Sequence, residues 1–207
     1  MPAKRSTTTR RAPSSDERQR DAERSRERLL DAALDVFSAK GFAGGRVQEI
    51  ADRAGVNAQL ISYYFGGKEG LYRALQQMWL DREAAFNDPD APLEELVGRY
   101  LHATLADPRL TRLLLWAGLH EPEPVAPRPP TTERQHELAD VRHRQQRGEL
   151  APEFDPGMIQ LIMMSALLAP IALPNVTREL TGLDPADPEF EHRFADQLKL
   201  LARRLAA

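Results

Sequence analysis

The strongest constraint on the fold of this chain is a series of helix-periodic segments in its first third, each closed by glycine. Leu30, Ala33, Leu34 and Phe37 recur at the i, i+3, i+4 and i+7 spacing that places them on one face of a helix. Gly41 follows at the position where a left-handed residue commonly ends a helix. No stretch of useful length alternates apolar and polar residues, and the sequence contains no internal repeat. This pattern predicts an all-α protein.

The same periodicity, interrupted by glycine and proline, predicts about nine helices. Their expected bounds are 15–39, 47–54, 58–64, 68–86, 93–106, 108–119, 131–147, 156–173 and 188–205. Ser14 and Glu17 form the S-x-x-E pattern of a capping box before the first helix. The five prolines within 121–130 predict a stiff irregular linker, and Asn175–Pro188 is expected to be a turn-rich connection.

The residue types needed for most enzyme chemistry are missing or scattered. The chain has no cysteine, which excludes disulfide frameworks, thiolate zinc sites and cysteine nucleophiles. Its five histidines show no H-x-x-x-H or H-E-x-x-H spacing, and no glycine-rich phosphate loop is present. We therefore expect neither an enzyme nor a bound metal or cofactor.

The N-terminus is polar and basic, without an apolar stretch behind it, so no secretory signal is expected. The longest apolar run, Met158–Leu173, has 16 residues and is interrupted by Gln160, Ser165 and Pro170. A run of that length is shorter than a membrane span needs. These features predict a cytoplasmic protein that does not contact a membrane.

Charge is divided unevenly along the chain, whose formal net charge is −3. Residues 1–72 carry 13 Lys and Arg against 10 Asp and Glu, a net charge of +3, whereas residues 73–207 carry 15 against 21, a net charge of −6. A basic head on an acidic body fits an anionic partner that binds at the N-terminal end only.

Two short predicted helices joined by a tight glycine turn form a helix-turn-helix candidate. Ala51 and Gly55 stand at i and i+4, where a small residue permits a close helix crossing and glycine permits a left-handed backbone. Val56, Ile61 and Tyr64 supply apolar positions that hold the second helix against the first. This order favours DNA binding, and the alternative is an ordinary αα-hairpin in a helical domain.

A wider set of residues extends this pattern in both directions. The set is Leu30, Ala33, Leu34, Phe37, Gly41, Phe42, Val47, Ile50, Ala51, Ala54, Gly55, Val56, Leu60, Ile61, Tyr64, Phe65, Lys68, Leu71 and Tyr72. Together these residues resemble the DNA-binding domain of the TetR family of bacterial transcriptional regulators (tetracycline-repressor-like). The resemblance spans roughly 45 residues and does not extend over 90–207.

The resemblance implies a three-helix DNA-binding domain followed by a helical domain that dimerises and holds an effector pocket. On this basis residues 1–19 are expected to form a basic disordered or frayed tail. Residues 20–67 are then the helix-turn-helix domain, and 68–207 the effector-binding and dimerisation domain.

In this family the third helix lies in the major groove of double-stranded DNA. The implied contact residues are Arg46, Gln48, Asn57, Ala58, Gln59, Leu60, Ser62, Tyr63, Tyr64 and Lys68. Asn57 is expected to cap the third helix. Gln59 is a candidate base reader because an amide pairs bidentately with adenine. Gln48 matches a position that the family uses to reach bases.

Phosphate contacts are expected from a second subset of these residues. The subset is Arg46, Tyr63, Tyr64 and Lys68. The chain departs from the family pattern at Ser62, where Tyr is common, and within 44–46, where a Thr often caps the second helix. The basic tail, with Lys4, Arg5 and the pair at 10–11, is either a DNA-contacting arm or a solvated segment.

Large aromatic and Met side chains on the predicted C-terminal helices suggest a pocket for an apolar or aromatic small-molecule effector, with plain core packing as the alternative. The candidates are Trp79, Phe86, Tyr100, His102, Arg112, Trp116, His120, Met158, Ile162 and Met163. His102, Arg112 and His120 are the expected polar groups of this pocket.

The run Met158–Leu173 is apolar nearly all round, and a helix of that kind must be buried on most sides. A four-helix bundle with the last helix and their copies in a second chain would bury it, as would a position inside one protomer. The residues expected in such a homodimer interface are Leu161, Met164, Leu168, Phe190, Phe194, Leu198 and Leu201.

These inferences converge on a homodimeric transcriptional regulator, a repressor released from a palindromic operator by a small-molecule effector. The helix over 68–86 would join the two domains and act as the lever between them. The alternatives are an effector-independent DNA-binding protein, and a helical small-molecule carrier or enzyme.

Overall fold

The computed structural model describes residues 15–120 and 131–206. Within these ranges the chain forms ten helices and no strand. They are α1 (Ser15–Gly44), α2 (Val47–Ala54), α3 (Gln59–Phe65), α4 (Lys68–Ala84), α5 (Leu93–Ala106), α6 (Arg109–His120), α7 (Thr131–Gln146), α8 (Pro156–Ala172), α9 (Pro174–Thr181) and α10 (Pro188–Arg204). The all-α prediction is confirmed. Residues 1–14 of the expected tail, which include the Ser14 cap, and the proline-rich linker lie outside the described residues, whereas residues 15–19 are helical and begin α1.

The described residues form ten helices where about nine are predicted, because α9 covers the first half of the connection that was expected to be turn-rich. Pro174 stands in the first turn of α9, where its fixed φ suits a helix and its missing N–H costs nothing. Gly182 ends this helix with a left-handed backbone, φ 72° and ψ 7°. Gly182, Pro185 and Pro188 favour turns, which is why the whole connection looked irregular in the sequence.

The first helix is interrupted at Gly41, as its glycine predicts. Gly41 has φ 70° and ψ 174°, and one further helical turn follows as far as Gly44. A β-carbon added at Gly41 would lie 3.1 Å from the ring of Trp116 on α6. Glycine is therefore needed here for its backbone conformation and for the close approach of α6.

One hydrophobic core is built from α1 to α4 together with α6. Phe37, Ile50, Ile61 and Leu75 lie at its centre with no exposed surface. Leu110 of α6 belongs to the same cluster. Of the described helix pairs, α1 and α6 have the most extensive packing contact. The helix-turn-helix is therefore held against part of the C-terminal region by shared core packing.

The remaining helices form a second packing unit. Val97 and Leu101 of α5 pack against Leu198 and Ala202 of α10. A smaller cluster joins α7 and α8 through buried apolar side chains that include Ile159. Of the described helices, none alone is long and apolar enough to cross a membrane, and α8 and α9 meet that test only as a pair bent by 93°.

Candidate nucleic-acid interface

The turn between α2 and α3 has the geometry that the sequence spacing predicts. Gly55 adopts φ 64° and ψ 38°, and its N–H donates to the carbonyl of Asp52 over 3.1 Å. The N–H of Val56 donates to the carbonyl of Ala51 over 3.0 Å, which completes a glycine C-cap. Ala51 has no exposed surface and lies in the same hydrophobic core as Ile61 of α3.

The two ends of α3 are fixed by local hydrogen bonds. The Asn57 side-chain oxygen accepts a hydrogen bond from the backbone N–H of Gln59 over 2.8 Å, which confirms the predicted cap. At the other end Gly66 has φ 73°, and its N–H donates to the carbonyl of Ser62 over 3.0 Å. The short helix is thus defined at both ends before any DNA contact is made.

The exposed face of α3 consists of Gln59, Ser62 and Tyr63, which stand at i, i+3 and i+4. Tyr63 is the most exposed of them, at 79%. Asn57 is exposed just before this face begins. These four side chains are the candidates whose functional groups point away from the protein core.

Three other groove candidates have a packing role. Ala58, Leu60 and Tyr64 are half-buried against the core, beside the fully buried Ile61. The rings of Tyr64 and Tyr63 meet edge to face, with their centroids 5.0 Å apart. Tyr64 therefore supports the exposed ring of Tyr63.

The N-terminus of α2 presents the two candidates of that helix to solvent. Arg46 is exposed at the N-cap, and its guanidinium forms no hydrogen bond or ion pair with another described residue. Gln48 is also exposed, but its side-chain nitrogen donates to the carboxylate of Asp52 over 2.7 Å. That bond orients the amide group of Gln48. Its side-chain oxygen remains available to accept a hydrogen bond from a base.

Lys68 lies in the first turn of α4, next to the end of α1. Its ammonium sits 4.4 Å from the ring centroid of Phe42 and 3.5 Å from the carbonyl oxygen of Ala43. These contacts fix the side chain at the junction of α1 and α4. A phosphate placed there would meet a positioned positive charge at a helix N-terminus.

Two arginines of α1 that sequence reasoning did not single out lie beside this surface. The guanidinium of Arg26 lies 5.5 Å from the ring centroid of Phe65, at the C-terminal end of α3. A guanidinium nitrogen of Arg28 lies 3.9 Å from where a β-carbon at Gly55 would stand. Both are exposed, and only the folded arrangement of α1 against α2 and α3 reveals the proximity.

The acidic side chains of the three-helix unit are largely occupied by neighbouring cations. Lys40 donates to Glu49 over 2.6 Å, and Arg53 donates to Asp35 over 2.6 Å. Pairing of the carboxylates limits their repulsion of an approaching phosphate backbone, which is the charge balance that DNA binding requires.

The ten effector-pocket candidates are distributed over separate places. Trp79 packs against the N-terminal core, and Phe86 and Tyr100 meet edge to face with centroids 5.0 Å apart. The Tyr100 hydroxyl donates to Glu83. Trp116 donates from its indole N–H to the carbonyl of Ser38 over 3.1 Å, so this ring anchors α6 on α1.

The other candidates are mostly at the surface. His102 is exposed and pairs with Glu191 over 2.7 Å. Arg112 and His120 are also exposed, as are Met158 and Ile162, whereas Met163 is half-buried between α5 and α10.

Two surface depressions adjoin α10, and neither includes any of the ten candidates among its described lining residues. The larger, of about 550 Å³, is lined by Glu95, Gly98, Arg99, Pro188, Glu191, His192, Ala195 and Lys199. The smaller, of about 240 Å³, is lined by Thr181, Leu183, Phe190, Arg193, Phe194, Asp196 and Gln197. The pocket assignment stays a prediction.

The seven dimer candidates divide into three groups by exposure. Phe190 and Leu198 are buried within one protomer, at 2% and 3% exposure. Phe194 stacks on Phe190 with ring centroids 5.3 Å apart and is half-buried, as is Leu168. The exposed members are Leu161, Met164 and Leu201. The face of α8 is therefore the part of the predicted interface that one protomer leaves open.

Family models match both parts of the chain. A model of the bacterial regulatory proteins of the tetR family matches residues 29–75, which include α2, α3 and the start of α4. A model of the tetracyclin repressor-like C-terminal domain matches residues 92–204.

Individual relatives agree with these models. The chain is 33% identical over 193 residues to the HTH-type transcriptional repressor SCO4008 of Streptomyces coelicolor, covering 90% of this chain and 97% of that protein. It is 34% identical over 112 residues to the HTH-type transcriptional repressor NicS of Pseudomonas putida, covering about half of each chain, 50% and 53%.

Solved structures share the fold. The putative transcriptional regulator SCO4942 from Streptomyces coelicolor superimposes with a TM-score of 0.67 at 23% identity, over 86% of this chain and 97% of that one. The fatty acid degradation regulator FadR from Bacillus halodurans gives 0.61 at 18% identity, over 84% and 97%. With its helix-turn-helix, its matching C-terminal region and these relatives, the chain belongs to the TetR family of bacterial DNA-binding transcriptional regulators.

Proposed function

We propose that this chain is a homodimeric repressor that binds a palindromic operator through α3 and releases it when a small-molecule effector binds the C-terminal region. The observation that carries the proposal is the outward face of α3, where Gln59, Ser62 and Tyr63 are exposed together beside Arg46. The relative SCO4008, named a transcriptional repressor, supports the sign of regulation.

Two copies of α3 would enter successive major grooves, about 34–36 Å apart, as in other dimeric helix-turn-helix proteins. In this arrangement Gln59 reads a base, while Arg46, Tyr63 and Lys68 hold the phosphates. The main role of Tyr64 is to pack against the ring of Tyr63 and hold it in place. The arginines of α1 and the basic tail would add phosphate contacts at the edge of the site.

The dimer in this proposal forms across the open face of α8. Met158, Leu161, Ile162 and Met164 are exposed at 64%, 53%, 56% and 40%, an unusual density of apolar surface for one helix. A second copy of α8 packed against it would remove this surface from water, with Leu201 of α10 at the edge.

Regulation would run from residues 68–207 to the helix-turn-helix of residues 20–67 through α4, which begins the C-terminal range and packs into the core of the helix-turn-helix unit. An apolar or aromatic molecule in the cytoplasm would favour a dimer in which the two α3 helices are wrongly spaced. Because the described depressions omit the predicted pocket residues, effector-independent DNA binding is the second candidate function. A thermal-shift screen of apolar and aromatic compounds separates the two.

The test of the proposal begins with selection of bound duplexes from a random pool by the full-length protein. Affinity for the selected duplex is then measured by fluorescence anisotropy at physiological salt. Gln59→Ala should lower that affinity by about 1–3 kcal/mol and relax the preference at one position in each half-site. Gln77→Ala, an exposed glutamine on α4, is the matched control and should leave the preference unchanged. Failure to enrich any sequence contradicts the proposal.

A further inference from the structure

The most densely bonded side chain outside the DNA-contact surface is Arg109, the first residue of α6. Its guanidinium makes two hydrogen bonds to Asp107, each 2.9 Å long, in the two-pronged geometry that suits a carboxylate. The remaining terminal nitrogen donates to Asp31 over 2.8 Å and to Asp35 over 2.7 Å. One cation thus joins the corner between α5 and α6 to two positions on α1.

Asp35 carries this connection onward into the helix-turn-helix. Its first carboxylate oxygen accepts from Arg109 over 2.7 Å. Its second accepts from two guanidinium nitrogens of Arg53, at the end of α2, over 2.8 Å and 2.6 Å. The chain of contacts therefore runs from α6 through α1 to α2. Arg109 and Arg53 are linked through Asp35, because both donate to its carboxylate.

The central groups of this network are shielded, whereas Asp31 and Arg53 at its two ends are exposed at 68% and 58%. Side-chain exposure is 29% for Arg109, 25% for Asp35 and 26% for Asp107. Isolated exposed ion pairs contribute little, but shielded two-pronged pairs within a network are stronger and geometrically strict. Hydrogen bonds of this length weaken steeply when the partners move or tilt.

A second contact holds the same two helices together farther along. The indole N–H of Trp116 donates to the carbonyl of Ser38, and the Trp116 ring packs on Gly41. Between these two anchors Leu110 and Leu113 belong to the core of the DNA-binding unit. Rotation of α6 about the Trp116 anchor would therefore act first on Arg109 and its carboxylates.

We propose that Arg109 is a positioning residue for operator binding: by holding Asp35 it fixes α1 and, through Arg53, α2 and α3 in the orientation that fits DNA. This inference rests on the proposed operator binding. A shift of the α5–α6 corner by an effector would loosen this clamp and change the spacing of the two α3 helices. Arg109 itself contacts no DNA.

The first experiment compares Arg109→Gln with Arg142→Gln, a matched loss of charge at an exposed position on α7. The probe is the duplex selected by the wild-type protein, and far-UV circular dichroism confirms the fold at the measuring temperature. Arg109→Gln should weaken binding at least about fivefold, the scale of coupling between distant sites, whereas Arg142→Gln should leave it unchanged. Arg109→Lys keeps the charge without the fork, so it should recover part of the affinity.

A double-mutant cycle with Arg53→Gln separates positioning from a general loss of stability. If Asp35 transmits the effect, the losses of operator affinity caused by Arg109→Gln and by Arg53→Gln are not additive. The cycle of Arg142→Gln with Arg53→Gln should be additive. Additive losses in both cycles, or equal affinities of Arg109→Gln and wild type, overturn the proposal.

A measurement without DNA keeps the inference distinct from the proposed function. Because the chain has no cysteine, Ser62→Cys gives a single spin-label site on α3. Arg109→Gln should broaden the label-to-label distance distribution in the dimer, and Arg142→Gln should not. An unchanged distribution overturns the positioning role, whereas failure of the wild-type protein to select a duplex overturns operator binding itself. If Arg109→Gln does not fold, Arg109→Lys takes its place in both measurements.

Discussion

The backbone carbonyl of Phe65 lies directly against Gly70: a β-carbon added at Gly70 would stand 1.6 Å from that oxygen. Phe65 is the last residue of α3, and Gly70 lies in the first turn of α4. The absence of a side chain at Gly70 therefore sets how closely α4 approaches the end of α3. The orientation of the exposed α3 face depends on this contact.

Gly70→Ala is expected to destabilise the DNA-binding unit by about 1–3 kcal/mol or more, because a methyl group there must displace backbone rather than a flexible side chain. Thermal unfolding followed by circular dichroism measures the effect. Gly98→Ala is the matched control: it also lies within a helix, and its added β-carbon meets only the Lys199 side chain at an ordinary 3.5 Å. Equal melting temperatures for the two variants would contradict this account.

Features that depend on residues close together in the sequence could be predicted. Features that depend on contacts between residues far apart in the sequence could not. The Gly55 turn and the Asn57 cap are local, so spacing alone located them. Gly70 follows two helix-breaking glycines at 66–67, and only the folded chain shows why it must be glycine. Arg109 and Asp35 are 74 residues apart, and no sequence pattern joins them.

The neighbouring rings of Tyr63 and Tyr64 should separate DNA contact from folding. Tyr63→Ala removes a side chain that is 79% exposed, so unfolding free energy should change by no more than about 0.5 kcal/mol. Operator affinity should fall about tenfold if the ring contacts the DNA backbone. Tyr64→Ala removes half-buried packing and should cost roughly 2 kcal/mol of stability as well.

The measurements are anisotropy with the selected duplex and thermal melts of the same samples. Tyr64→Phe is the control, because it keeps the packed ring and removes only the hydroxyl. Should Tyr63→Ala bind as tightly as wild type, Tyr63 has no part in the interface.

The residues of the effector pocket and the dimer were harder to predict, for a physical reason. An apolar residue on a helix looks the same in sequence whether it faces a ligand, the core or a second chain. Thus Leu198 turns inward onto α5, whereas Leu161 on α8 stays exposed, although both were expected at the interface. Likewise Trp116, expected in a pocket, contacts α1 instead.

Leu161→Glu should convert the dimer to monomers. A carboxylate at the centre of a buried apolar face without a partner costs about 3 kcal/mol or more, which raises the dimer dissociation constant by more than about a hundredfold. Leu114→Glu on α6 is the control, since Leu114 is exposed to a similar degree, 50% against 53%, and α6 carries none of the predicted interface residues. Sedimentation velocity reports the mass, and a dimer that persists in Leu161→Glu would exclude α8 from the interface.

Acid should loosen the contact between α6 and α1. The hydrogen bonds from Arg109, then those from Arg53, hold the pKa of Asp35 below its usual 3.8, and Arg109 likewise lowers the pKa of Asp107. A carboxyl whose pKa is lower in the folded state stabilises the fold above its unfolded pKa, and this contribution is lost as pH falls through the folded value. The free energy of unfolding should thus fall steeply below about pH 4.

Asp35→Asn tests this directly. The variant should be less stable than wild type at pH 7, because Arg109 and Arg53 lose their shared carboxylate. Its stability should then fall less steeply than that of wild type below about pH 4, so that the two curves converge as Asp35 becomes protonated in the wild type. Urea unfolding at a series of pH values measures both curves. Parallel curves over this range would show that the Asp35 carboxylate does not carry the acid sensitivity of the α1–α6 contact.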